Sequence, residues 1–338
     1  MSILNIFTQD AFSVMRLTDA LREIKYTPSR IGQMGLFQTT SIDTLDIAIE
    51  KDKEQNRMLV SASPRGGPGQ TFDKNKRAMR MLKVPHFQVD DAIYADEVQQ
   101  VRAFGQEQAV ERLQQKIADR AAEASQFFAL TEEYHRLNIL KTGQLLDADG
   151  TVLFDYFTEF GESQQAVVDF DLDNATPGSG VLRKRCQALI ESVEDTLGGL
   201  AAGAVQLRAE CGSAFFADLV AHKEVRETYL NTAAAADLRG RVGEEVSFGG
   251  ITFRRYRGGL GFGVPTDKAY FYPEGVEGLF EIYYAPADTF ETVNTVGLPL
   301  YARMIPDRDR DEWVRLEIES NPLPICTRPQ VLRSARRT

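Results

Sequence analysis

Glycines set among cations are the first place to look for phosphate chemistry, because open backbone N–H groups and basic side chains together cradle an anion. SPRGGPGQTFDKNKR, Ser63 to Arg77, is such a stretch, with Gly66, Gly67 and Gly69 between Arg65 and the cations Lys74, Lys76 and Arg77. A phosphate-binding loop needs GxxxxGK[ST] between a strand and a helix, whereas Gly69 is followed by QTFDK, so the spacing argues against a nucleotide. In GGLGFGVP, from Gly258, the residues Gly259, Gly261 and Gly263 alternate. That is not GxGxxG opening a helix, and it reads as a flexible loop. DADG, Asp147 to Gly150, begins like a calcium loop, but TVLFDYF fills the next positions and no glutamate closes the twelve residues. A hairpin turn accounts for it.

Acid–base and nucleophilic chemistry find no better support. His86, His135 and His222 stand apart from one another, neither HExxH nor GxSxG occurs, and His135 in EEYHRL reads as a helix-face residue. Cys186, Cys211 and Cys326 are odd in number, distant, and without CxxC spacing, so they read as buried thiols. The carboxylates are scattered over polar helix faces. No catalytic residue, metal ligand or cofactor site is nominated, and an enzyme ranks last among the readings.

The elements that carry these residues are more informative. MSILNIFTQDAF lacks the basic start and apolar core of a signal peptide, and no apolar run approaches the ~18 residues of a membrane span. We therefore expect a chain made in the cytosol, with no membrane partner and, at 43% hydrophobic and 26% charged residues, an ordinary globular core. LTDALREI is a short amphipathic helix within an otherwise weakly patterned arm. Ile42, Leu45, Ile47 and Ile49 alternate as strands do, and Met58, Leu59 and Val60 are expected to return along them, with Ser63–Arg77 as a loose continuation. The strongest periodicity, Val110, Leu113, Ile117, Ala121, Ala124, Phe128, Thr131, Tyr134 and Leu137, predicts one helix from Gln106 to Thr142, about 55 Å long at ~1.5 Å per residue. Gly143 is placed to cap it, and QLLDADGTVLFDYF then predicts a hairpin turning tightly at Asp149–Gly150. After TPGSG a helix runs through Leu182, Leu189, Val193 and Leu197. Beyond it alternate AVQLRAEC, SAFFADLVAHKEVRETYL, EEVSFGGITFRRYR, KAYFYP, FEIYYAP, LYARMIP, WVRLEIES and LPICTRP, before a basic, frayed tail, VLRSARRT.

Charge is unevenly spread. The net value is −10, yet residues 51–90 hold nine Lys/Arg against four Asp/Glu, a local +5 that leaves −15 on the remainder. Such a chain repels a phosphate backbone over most of its surface, and its basic segment suits an acidic patch on another copy. A forty-residue loop with few apolar side chains is unexpected in a compact monomer unless it lies on something else.

YTPSRIGQMGLF, ASPRGGPG, KVPHF, ADEVQQVRAFG, KAYFYPEGVEGLFEIYYAPAD and ESNPLPICTRPQVL occur in this order over most of the chain. In this series the sequence resembles the lambda-like E branch of the tailed-phage major capsid proteins, with the Hong Kong 97 type of fold. The resemblance implies an α+β subunit with an N-terminal arm (1–34), an extended loop over an adjacent subunit (35–88) and a peripheral domain with a spine helix and hairpin (89–180). An axial domain (181–310) and a return to the peripheral domain with the tail (311–338) would complete it. It implies no catalytic group, cofactor or metal. Arg65, Gly66, Gly67, Lys74, Lys76 and Arg77 would make inter-subunit contacts, and Gly258, Gly259, Gly261 and Gly263 would lie in an axial-domain loop. Hexamers and pentamers would enclose double-stranded DNA without reading its sequence, with a portal at one vertex, in a virion assembled in the host cytoplasm. A long helical N-terminal scaffolding segment is lacking, which implies a separate scaffolding protein. Some relatives crosslink a loop lysine, but nothing marks Lys51, Lys53, Lys74 or Lys76 as reactive, and non-covalent shells of the branch can bind a decoration protein. An encapsulin-like compartment is the alternative.

Overall fold

The computed structural model describes residues 30–52, 77–95, 106–174, 176–198, 205–230, 245–258, 262–310 and 312–338. One turn of helix, α1 (Arg30–Gln33), leads to β1 (Gln38–Ser41), the ribbon β2 (Asp46–Asp52) and β3 (Arg77–Lys83), and then β4 (Phe87–Tyr94). Helix α2 follows from Gln106 to Thr142, 37 residues that match the bounds expected from its periodicity. Its apolar residues Ile117, Ala121, Ala124 and Phe128 pack on Ile93, Ala302, Leu316 and Ile318. The last three come from β13 (Tyr301–Pro306) and β14 (Trp313–Ser320), which with β4 form an antiparallel sheet ordered β13-β14-β4. Further along, Leu137, Ile139 and Leu140 enter a second and larger core. The helix thus ties two cores together. Each large apolar side chain it buries contributes roughly 1.5–3 kcal/mol.

Helix α2 ends where Gly143 takes φ +65°, its N–H donating to the Ile139 carbonyl at 2.8 Å. Any side chain here would strain the left-handed backbone, and its Cβ would stand 2.6 Å from the Phe157 ring. The hairpin β5 (Gln144–Leu146) and β6 (Val152–Asp155) follows. It does not turn in two residues: Asp147 donates its N–H to the Thr151 carbonyl, Gly150 to that of Asp147, and the register shifts at Leu145/Leu146. The Asp149 side chain accepts the Thr151 N–H at 2.8 Å, so the acidic turn residues satisfy the loop's own backbone. Asp155 then caps a short helix, α3 (Tyr156–Phe160), where a continuing strand was expected.

A six-stranded sheet, ordered β7-β16-β11-β8-β10-β9, fills the rest of the large core. It comprises β7 (Val168–Asp169), β8 (Gln206–Cys211), β9 (Glu245–Phe248), β10 (Ile251–Arg255), β11 (Lys268–Glu274) and β16 (Arg333–Arg336). Strand β11 is central and buried from Ala269 to Pro273, which is why it reads as a continuous apolar run. Helix α4 (Val181–Leu197) buries Leu182, Cys186, Leu189, Val193 and Leu197 as one stripe. Gly180 offers its N-terminus no side chain, and Glu224 of α6 (Lys223–Leu230), which follows α5 (Ser213–Ala221), accepts the Leu182 and Arg183 N–H groups at 3.1 and 3.3 Å instead. A third sheet, β1-β12-β15, joins β1 in parallel to β12 (Phe280–Tyr284), which pairs antiparallel with β15 (Pro322–Cys326).

The described strand that pairs with β2 is β3, in register from Asp46↔Lys83 to Asp52↔Arg77; Met58–Val60 and LTDALREI lie outside the described residues. One expectation fails: the tail is not frayed. Strand β16 pairs with β11 and β7, Arg333 and Ser334 are buried, and Leu172 donates its N–H to the Arg337 carbonyl at 2.7 Å. Backbone pairing holds RSAR in place, and such pairing needs no apolar run to announce it.

Candidate assembly surface

The β2–β3 ribbon carries the base of the proposed contact loop. Ile47 and Leu82 face each other across it and are buried in the large core, whereas Met81 is exposed. A two-stranded ribbon is marginal by itself. Beyond its base, one tie to the body is the ion pair of Arg80 with Glu159 at 3.3 Å. Of the expected contact residues, the structure places Arg77 at the far end of the ribbon, opposite Asp52. Arg65, Gly66, Gly67, Lys74 and Lys76 lie outside the described residues.

A buried polar hub fastens the start of the described chain to the spine. The Glu133 carboxylate of α2 accepts the Ile31 N–H at 3.0 and 3.1 Å, the Gly32 N–H at 3.4 Å and the Tyr256 hydroxyl at 3.0 Å. An anion at the N-terminus of α1 satisfies donors that the helix itself cannot. The Arg30 guanidinium lies 5.6 Å from the Tyr256 ring centre. Beside them Glu210 accepts the Tyr272 hydroxyl at 3.2 Å. Burial pushes Glu210 up to about 7, Arg30 and Arg254 oppose that shift, and Glu133 adds to it. Burial also pushes the Tyr256 and Tyr272 hydroxyls upward. The sequence reading missed this hub. Its one trace was that EEYHRLNIL interrupts an apolar helix face with Glu133, His135 and Asn138, all of which are buried.

The glycine loop closes on the same third of α2. Gly258 has φ +57°, and a Cβ there would meet the Phe262 carbonyl oxygen at 2.5 Å and the Gly263 Cα at 3.1 Å. The Phe262 ring stands edge-on to Tyr134 at 5.6 Å. The two stems of the loop are therefore closely packed, while Gly259 and Gly261 lie outside the described residues. The structure brings Gly258 and Gly263 together on α2 and leaves Arg77 on a separate ribbon.

The groups considered for chemistry are withdrawn from it. Burial holds His135 down at about 4, and the ring packs 5.1 Å from that of Phe87. Cys186, Cys211 and Cys326 are buried thiols, with Cys186 pushed up to about 12 by burial. Among the described residues no group of His, Cys, Asp and Glu is arranged to hold a metal ion. The tail arginines are occupied as well. Arg333 donates to the Ser192 carbonyl at 2.9 Å, to the Ser192 hydroxyl, to the Thr196 hydroxyl at 2.8 Å and to the Gln330 and Leu332 carbonyls. Arg336 pairs with Asp169 and Arg337 with Asp218. The tail is thus tied into the fold by side-chain as well as backbone bonds.

A spine shared by two cores, a two-stranded ribbon tied to the body at its base and a buried polar hub are the features that the described residues bring together. The chain belongs to the family Phage major capsid protein E, whose model matches residues 13–337. It is 29% identical over 348 residues to the major capsid protein of Pseudomonas phage KPP10, and 22% identical over 362 residues to that of Salmonella phage Felix O1, with 96% of each chain covered in both cases. A prophage protein of E.coli CFT073 described as a capsid protein shares the fold, with a TM-score of 0.60 at 12% identity over 96% of this chain and 99% of that one. The fold is thus the α+β fold of a capsid protein, and the function is structural rather than enzymatic. Membership of a phage family also decides against the encapsulin-like alternative. Capsid proteins are components of the virion, and among the described residues no helix is long and apolar enough to cross a membrane.

Proposed function

We propose that the chain assembles into hexamers and pentamers of an icosahedral shell around double-stranded DNA, with the Hong Kong 97 arrangement of parts. Residues 1–34 form the arm, 35–88 the extended loop over a neighbour, 89–180 the peripheral domain, 181–310 the axial domain, and 311–338 the return. The observation that carries this reading is the β2–β3 ribbon, which leaves the core at Ile47 and Leu82 and leads to a basic segment on a chain of net charge −10. Pairing of β14 with β4 supports a return to the peripheral domain, while β16 continues into the six-stranded sheet. The acidic balance favours a wall that confines DNA without gripping it. Assembly in the host cytoplasm, on a separate scaffolding protein and around a portal vertex, with a decoration protein able to bind outside, completes the proposal.

Electron microscopy of the purified chain, expressed with and without its genomic neighbours, tests it. Shells, sheets or rings are the expected products. A stable monomer under both conditions would refute it.

A further inference from the structure

Helix α2 packs on one face of the β13-β14-β4 sheet through Ile93, Leu316 and Ile318. The alternate residues, paired as Asp90↔Glu317, Gln88↔Glu319, Arg303↔Glu317 and Tyr94↔Trp313, lie on the opposite face. Asp90, Tyr94 and Arg315 are exposed there. The Arg315 guanidinium stands 5.5 Å from the Trp313 ring centre, and Glu317 accepts from Arg303 at 3.1 Å and from Arg315 at 3.4 Å. The turn between β12 and β13 flanks the Glu319 end of this face. It is ordered by its own bonds, the Thr292 hydroxyl donating to the Ala287 carbonyl at 2.6 Å and the Leu298 N–H to the Tyr301 hydroxyl at 2.8 Å. On that frame Phe290 is fully exposed, and Val293 and Val296 are more than half exposed. Burial raises the Glu319 carboxyl group, and Asp288 and Glu317 raise it further against His86 and Arg303. Face and turn together hold five carboxylates, Asp90, Asp288, Glu291, Glu317 and Glu319, against Arg303 and Arg315, a net −3 with His86 counted neutral.

We infer that this face and its turn receive a cationic amphipathic helix of a different polypeptide. A fully exposed aromatic ring on an ordered turn has the profile of an interface anchor, and the acid around it selects a basic partner. The dimensions fit a helix. Trp313 and Glu319 lie six positions apart on β14, about 20 Å of strand and the length of roughly 13 helical residues. Such a helix sets apolar side chains on Phe290 at one end and on Tyr94 and Trp313 at the other, with its cations over the carboxylates between. A second copy suits the face poorly. The same turn on both sides would oppose Asp288 and Glu291 to themselves, and outside residues 51–90 the chain carries −15. One helix of this length covers well under the ~800 Å² per partner of a stable interface, so the contact is reversible and weakened by salt. The inference does not rest on the shell reading.

Fluorescence anisotropy on the purified full chain tests it, the probe being a labelled peptide of about 18 residues with Leu and Lys at amphipathic helical spacing. Saturable binding is expected, and its absence would overturn the site. Asp288→Lys with Glu291→Lys, and separately Phe290→Ser, should each weaken binding at least tenfold. The doubly charged variant should in turn bind a Leu–Glu peptide better than the unaltered chain does, which a misfolded chain would not. Glu123→Lys with Asp195→Lys makes the same charge change at exposed positions of α2 and α4, and should alter binding less than twofold. Emission of Trp313, the single tryptophan, should move to shorter wavelength as unlabelled peptide saturates. Equal loss in both charge variants would reduce the effect to net charge and overturn the site, as would binding that survives Phe290→Ser or leaves Trp313 unchanged. Without peptide, Phe290→Ser should sediment as the unaltered chain does. A shift to a smaller species would place a second copy on this face and overturn the choice of partner.

Discussion

Glu133 gives the sharpest test of how the spine holds the chain's entry. Replacing it with alanine removes the acceptor for the Ile31 and Gly32 N–H groups and for the Tyr256 hydroxyl. Ile31 is fully buried, so water cannot easily take the carboxylate's place. A buried donor left without a partner costs about 1–3 kcal/mol, and two such donors, with some relaxation, about 3 kcal/mol. At 1.4 kcal/mol per factor of ten that is roughly a hundredfold. The assay is hydrogen exchange followed by mass spectrometry on a peptide spanning Ile31 and Gly32, since local opening there is set by this clamp. Glu133→Ala should speed exchange of the two amides about a hundredfold, while a β11 peptide around Phe271 keeps its protection. Glu133→Gln retains one acceptor oxygen and should fall near tenfold. Tyr256→Phe leaves both backbone donors paired and should change them less than threefold. Unchanged exchange at Ile31 and Gly32 in Glu133→Ala would refute the clamp.

Arg333→Met should destabilise the subunit by about 3 kcal/mol, because it strips the Ser192, Gln330 and Leu332 carbonyls of a charged donor. Arg336→Ala, at an exposed ion pair, should stay within about 0.5 kcal/mol in the same denaturant titration. Proline at Ala121 should break α2 at mid-length, costing about 3 kcal/mol or more and abolishing particles seen by electron microscopy. Glycine there should cost about 1 kcal/mol and leave the helix in place. Glu210, raised to about 7 from 4.5, binds its proton more tightly folded than unfolded. Its contribution is fully present below pH 4.5 and is lost as pH rises through about 7. Relative to Glu210→Gln, the wild-type denaturation midpoint should therefore fall between pH 4.5 and 7 and level off above it. A flat difference across that window would remove Glu210 from the account.

Local signals in the sequence carried further than paired ones. Helix α2 ends where the 3.6-residue period and Gly143 place its end, and α4 begins directly after TPGSG, because helix hydrogen bonds join near neighbours and leave their record in spacing. The ordered series from YTPSRIGQMGLF to ESNPLPICTRPQVL was equally legible, and the family match over residues 13–337 agrees with it. The partner of β2 was not. Asp52 and Arg77 are separated by a segment that contains its own apolar run at Met58–Val60, and alternation marks a strand without naming its neighbour.

The sequence by itself determined the helical spine, the charge imbalance, the lack of any catalytic motif and the capsid family. Only the tertiary structure decided that RSAR is an inner strand, that Arg333 serves the Ser192 carbonyl of α4, and that Glu133, Glu210, Tyr256 and Tyr272 meet in one hub. Each of those residues is polar, and polar residues read as solvated until a fold supplies partners from distant positions. The desolvation that would otherwise exclude them is offset by hydrogen bonds reaching across more than a hundred residues, from Glu133 to Ile31 and to Tyr256.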